Sequence, residues 1–297
     1  MDPADADIEN WADGVYRLPD NRFVTTCLGY PVRDLAPPHT LYVQPPRVCI
    51  GETVGATIVG PAARAGHVCR NCPCNFMNAL VNRHGAPAPT PTRGWRYGLE
   101  YIDYLIEARP WDRCEADPWD RGAWMMKWPL SKRESIIRSE TFELVVPWRC
   151  KANLKRESGH KPWTKARIIQ AYHTQATQSE YGPTMYALQK AVFDWINSQE
   201  EKHGIRITMA SGLPPEKMAE WMDRVHLKWS RPFFRERDGK NWDATMGRWA
   251  YDLFIRLCRS VDADFASFVE QGYAALGVAF FDTGIFKYRL VGGTKSG

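Results

Sequence analysis

Apolar residues recur at helical spacing in several stretches of the chain. In Tyr97–Ala108, Leu99, Ile102, Leu105 and Ile106 share one face and predict a helix. Ser131–Glu140 predicts a shorter one, with Ser131 placed to cap it. Between Tyr181 and Gly204, Met185, Leu188, Val192 and Ile196 lie on one stripe, Pro183 suits a first turn and Gly204 a stop. Ser211–Trp229 reads as a turn and a helix with prolines in its first turn. Beyond Asp243 two helical stretches run to about Tyr273, the second carrying Phe265, Phe268, Val269 and Tyr273 on one stripe. Strand patterns are shorter: Arg167–Ala171, Ile205–Ala210, an alternating Arg231–Asp238, and a last strand near Phe286–Val291 entering a glycine-rich turn. Residues 1–60 read as short strands and loops, because paired prolines at 37–38 and 45–46 exclude a helix. Residues 85–95 form a proline-rich connector.

Composition adds boundaries. With 297 residues the chain is long enough for about two domains, and its 44% hydrophobic content can bury a core. The longest apolar run, Tyr273–Phe281, is about half of a membrane helix. The acidic opening has no basic n-region and no apolar h-region, so it does not read as a signal peptide. The eight cysteines are therefore expected to be mostly reduced thiols.

The net charge of +5 is unevenly spread. Residues 1–60 hold 4 basic and 8 acidic side chains, whereas residues 121–180 hold 12 and 5. Arg149, Lys151, Lys155, Arg156, Lys161, Lys165 and Arg167 crowd a segment whose one acid is Glu157. Such a concentration suits a polyanionic partner; a solvated loop is the plainer alternative.

Two aspartates, Asp238 and Asp243, flank the junction between the alternating strand and the helix after it. A carboxylate at a strand's carboxyl end is a hard oxygen ligand of the kind magnesium takes alongside phosphate oxygens and water. Two such ions can align an attacking hydroxyl and a leaving pyrophosphate. For so short and common a pattern the plainer reading is that Asp238 suits a turn and Asp243 a helix N-cap reaching the amide of Thr245 or Met246.

The order of these features along the chain resembles the fingers and early palm of an RNA-dependent RNA polymerase from a positive-strand RNA virus, nearest to the tombusvirus- and nodavirus-like group. Asn153–Gln170, NLKRESGHKPWTKARIIQ, resembles the fingers motif F through Lys155, Glu157, Lys165, Arg167 and Ile169. Phe234–Thr245, FRERDGKNWDAT, resembles motif A, and Gly292–Gly297, GGTKSG, the opening of motif B. Met209–Trp221 is similar to the segment that precedes motif A in these enzymes. The likeness covers residues 150–297 well and 60–150 loosely, and leaves 1–60 unplaced.

That resemblance implies an α+β fold: a partial right-hand polymerase with fingers over 61–228 (motif F at about 151–171), the beginning of a palm over 229–297 (motif A at about 234–245, the start of motif B at 292–297) and no thumb. It implies Asp238 as the catalytic, metal-binding aspartate. Asp243 and Ser296 are implied to sense the ribose 2′-hydroxyl, and Lys155, Lys165 and Arg167 to hold triphosphate and template phosphates. The implied cofactor is Mg²⁺, with Mn²⁺ as its substitute. The implied partners are RNA template, nascent RNA, nucleoside triphosphates and other viral replication proteins. The implied location is the host cytoplasm, at membrane-associated replication complexes, with no membrane anchor in this chain. Read this way, the sequence ends inside motif B, and the Gly-Asp-Asp of motif C has no good counterpart, Pro19–Asn21 and Val261–Phe265 being poor substitutes. The chain alone is then expected not to polymerise RNA.

Other patterns carry less. His67, Cys69, Cys72, Cys74 and His84 include a zinc-like Cys-x₂-Cys, yet no second pair stands in register, and reduced cysteines near a helix start are the simpler reading. Gly292–Ser296 imitates the end of a phosphate-binding loop without Gly-Lys-Ser and its helix. Of the 13 tryptophans, Trp195, Trp221 and Trp249 are helix-spaced and read as packing. The second functional class is a non-catalytic RNA-binding or replication-complex protein on a polymerase-like scaffold. A two-metal nuclease would need further acids near Asp238, and Asp262 and Asp264 read as lying between two helices.

Overall fold

A computed structural model describes residues 40–43, 54–57, 65–68, 71–80, 84–85, 89–113, 120–155, 158–159, 167–199, 207–228, 246–281 and 284–290. The fold is α+β. In chain order come β1 (Thr40–Val43), β2 (Val54–Thr57), β3 (Ala65–Val68), α1 (Pro73–Ala79), α2 (Trp95–Ala108), α3 (Arg121–Met126) and α4 (Leu130–Phe142). Then follow β4 (Arg149–Leu154), β5 (Ser158–Gly159), β6 (Ile168–Tyr172), α5 (Gln175–Glu180), α6 (Gly182–Ser198) and α7 (Pro215–Lys228). The last elements are α8 (Arg248–Val261), α9 (Ala263–Tyr273), β7 (Leu276–Phe281) and β8 (Gly284–Arg289).

Five strands form one mixed sheet in the order β1-β8-β7-β4-β6, and three short ones form a second in the order β2-β3-β5. In the large sheet only β4 and β7 run parallel. The sheet thus joins a strand from the first sixty residues, the pair bracketing the basic segment, and the hairpin that leads toward Gly292.

One face of this sheet is sealed by α1. Phe76, wholly buried, meets Phe281, Phe286 and Tyr288 at ring separations of 5.4, 5.7 and 5.7 Å. Met77 and Leu80 add to the same cluster with Ala152, Leu154 and Ile168. Gly277 makes this packing possible: a Cβ there would collide with the Tyr288 ring. Tyr288 therefore lies over bare backbone, and the pair is a size match.

The helices pack around a second core. Apolar residues of α8 at spacings of three and four (Tyr251, Phe254, Ile255, Cys258) meet Leu105 of α2, Leu188 of α6 and Phe265 and Val269 of α9. Asp262 ends one helix and starts the next; its carboxylate accepts the Phe265 amide at 2.7 Å. The α9 stripe is as expected, with Phe265, Phe268, Val269 and Tyr273 all buried. Trp195 packs on Tyr104 at 5.2 Å and Trp249 on Trp95 at 4.5 Å, consistent with packing roles. Cys72, Cys150 and Cys258 are buried thiols outside any disulfide. Among the described residues no helix is long and apolar enough to cross a membrane.

One strand was not foreseen, and three expectations need correction. The run at Tyr273–Phe281 contains β7, in which Leu276, Gly277, Val278 and Ala279 are all buried; a strand covered on both faces loses the alternation that would announce it. Ser131 does not cap α4: the helix begins at Leu130 with Pro129 before it and no side-chain cap. Of the strand expected at Ile205–Ala210, the described part, 207–210, has no regular structure, and Met209 is tied instead to the Asn197 side chain. α6 stops at Ser198, short of Gly204. The expected strand ending at Asp238 and the palm boundary near Trp229 lie outside the described residues.

Candidate functional site

The basic segment is framed by the β4–β6 hairpin. Its register pairs Cys150 with Tyr172, Ala152 with Gln170 and Leu154 with Ile168. Burial alternates strictly along β4: Cys150, Ala152 and Leu154 are inside, and Arg149, Lys151 and Asn153 point the other way. One step beyond the last ladder pair, the Lys155 amide donates to the Arg167 carbonyl at 2.8 Å. Directly opposed residues of an antiparallel pair share a face, so Lys155 and Arg167 stand side by side on the outer one.

The same face continues across the sheet. Lys151 pairs with Val278 of β7, and Val278 pairs with Lys287 of β8. In the next row Arg149 pairs with Leu276 and Leu276 with Arg289. Leu276 and Val278 are buried and pack with Ile285, so an apolar strip separates two basic borders. Lys151, Arg167 and Arg289 are exposed; Arg149, Lys155 and Lys287 are half-buried. The strand positions of β4, β6, β7 and β8 on this face carry no aspartate or glutamate. β7 is covered on this face as well, so the cations line its two borders, where like charges gathered this closely raise the positive potential.

His173 stands at the edge of this face. Its amide donates to the Arg149 carbonyl at 3.3 Å, extending the hairpin by one residue. Burial first, then Arg149 and Lys151, hold its imidazole below the ordinary value of 6.5, with Glu143 acting weakly the other way.

Of the residues expected at the site, Lys155 and Arg167 are brought together. Lys165, Asp238, Asp243 and Ser296 lie outside the described residues, as do Glu157 and Cys69. Cys72 and His84 are both buried, and among the described residues no group of three or more His, Cys, Asp or Glu side chains could hold a metal ion. Asp262 is a helix cap and Asp264 sits in the first turn of α9. Lys287 and Arg289 were not anticipated as site residues. Their signal was available, since cations alternate with buried Phe286, Tyr288 and Leu290, but which face they join depends on pairing with a distant strand.

No protein-family model matches this chain, and a search of curated proteins finds no significant relative.

Proposed function

We propose that the chain is the fingers and the beginning of the palm of an RNA-directed RNA polymerase of a positive-strand RNA virus, acting on an RNA template and nucleoside triphosphates. One observation carries this reading. The hairpin around the motif-F-like segment and the strand that precedes the motif-B-like segment belong to one sheet, with β7 between them, and their cations share a face. The strands that border these two stretches thus lie in one sheet, with the charge that phosphate binding requires.

In this reading Lys155, Lys165 and Arg167 hold the triphosphate and the template backbone. Arg gives bidentate contact and Lys a point charge. Arg149, Lys151, Lys287 and Arg289 extend the same surface along the strand's phosphates, without reading sequence. Asp243 and Ser296 form the hydrogen bonds that reject a nucleotide lacking its 2′-hydroxyl. Asp238 is the carboxylate ligand for Mg²⁺, or for Mn²⁺ in its place, and its donor chemistry suits either hard ion. A bound metal supplies charge neutralisation at the transferring phosphoryl group.

Extending the source sequence past the codon for Gly297 tests the proposal. Continuation into a Thr and an Asn of motif B, then Gly-Asp-Asp, supports it. A stop codon or unrelated sequence leaves a non-catalytic RNA-binding protein, with Asp238 and Asp243 as a turn residue and a helix cap.

A further inference from the structure

A second recess lies among the helices, apart from the basic sheet face. Trp124, Trp128, Tyr172, Tyr181, Tyr186 and Phe268 are among the residues lining a cavity of about 290 Å³. Lys127, Tyr186 and Gln189 also line an adjoining recess of about 340 Å³, which Lys190 and Asp194 border.

The aromatic walls are braced from behind. Trp124, almost wholly buried, sits edge-on to Trp128 at 6.3 Å. Gly182 leaves it room, since a Cβ there would come within 2.6 Å of the indole. Tyr181 stacks on buried Phe265 at 5.4 Å and meets Phe268 at 4.9 Å. These contacts fix the rings that line the recess.

Where the two recesses meet stands Lys127, its ammonium 4.9 Å from the Trp128 ring and 4.5 Å from that of Tyr186. Partial burial lowers its pKa. Among the described residues no carboxylate pairs with it, so an anion arriving there would meet a cation already held in place. The Gln178 and Gln189 amides border the aromatic recess and can each donate and accept.

We propose that the paired recess binds a nucleotide: one nucleobase stacks in the aromatic part, and its 5′-phosphate meets Lys127 and Lys190 in the adjoining part. The size is at the small end of ligand sites, about 300–1,000 Å³, which admits a single base and sugar. Aromatic faces stack on every base, amides answer base edges, and lysine serves phosphate as a point charge. A purely apolar ligand would leave Lys127 and both amides unanswered, and a cationic one would be repelled. The inference does not depend on polymerase activity, because the recess is built largely from α3, α6 and α9 rather than from the basic face.

Titration calorimetry of the whole chain with AMP and with adenosine tests it. Saturable binding of AMP is expected, weakened about tenfold or more by Tyr186→Leu for both ligands. Lys127→Gln should weaken AMP about fivefold and leave adenosine unchanged. Trp128→Phe, which retains an apolar ring, should bind AMP in between and shows whether the scaffold remains intact. Competition with a 5′-phosphorylated single-stranded oligonucleotide separates the sources. Displacement of AMP puts the recess on an RNA path, and no displacement leaves a free-nucleotide site, either of which fits. Absence of saturable AMP binding, or binding untouched by Tyr186→Leu and Lys127→Gln, contradicts the proposal.

Discussion

The amide of Lys155 donates to the carbonyl of Arg167 at 2.8 Å, and this bond fixes the two cations as opposed neighbours at the end of the β4–β6 hairpin. From that end the basic face runs through Lys151 to Lys287 on the far side of β7. Binding of single-stranded RNA should therefore depend on residues that are remote in sequence. Changing Lys151 and Lys287 together to Gln should weaken an unstructured RNA oligonucleotide at low salt. It should also flatten the plot of log affinity against log salt by about 0.7 for each phosphate no longer neutralised. Fluorescence anisotropy across a salt series reads both effects; an unchanged slope would remove these residues from the interface.

Gly277 and Tyr288 form the tightest size match in the large sheet. Glycine inside a strand is usually unfavourable, so alanine would ordinarily stabilise it by a few tenths to about 1 kcal/mol. Here the added Cβ would collide with the Tyr288 ring, and Gly277→Ala should instead cost about 1–3 kcal/mol as overpacking does. The midpoint of urea unfolding measures the sign. In a Tyr288→Leu background, the same change should cost much less.

Acid should loosen the fold at His173. Its folded-state pKa lies below the ordinary 6.5 because of burial and of Arg149 and Lys151. Well above that ordinary value neither folded nor unfolded chain holds the proton, and stability is unaffected. As pH falls, the unfolded chain protonates first, and stability is lost until the lowered folded value is passed. His173→Gln should flatten this part of the stability profile. Adding RNA should move the His173 titration upward in proton NMR, since phosphates offset Arg149 and Lys151.

Asp262 separates a structural carboxylate from a catalytic one. Its side chain accepts the Phe265 amide, so Asp262→Ala should cost about 1 kcal/mol as the removal of a helix cap does. Asp262→Asn should retain nearly all of the stability. Thermal unfolding with and without magnesium should show no metal effect that depends on this residue.

How much of this could be read from the chain depended on range. The α9 stripe and the place of Asp262 between helices follow from local spacing, and they were legible. β7 was hidden because Leu276–Ala279 is buried on both faces, and a continuous apolar run does not reveal its period. Ser131 looked like a cap by residue type, but Pro129 precedes the first turn of α4. Ile207 and Met209 had strand composition, yet Asn197 claims the Met209 backbone. At the site, the Lys155–Arg167 pair was legible through resemblance. The face they share with Lys287 and Arg289 was not, because it is created by the order β8-β7-β4.

The most direct measurement is template-directed incorporation of labelled nucleoside triphosphates, made with the chain extended through the next catalytic segment. RNA synthesis that requires template and magnesium, and is abolished by Asp238→Asn, is the result the account predicts. Incorporation that Asp238→Asn leaves intact, or none from an extended chain that binds RNA and is folded, would contradict it.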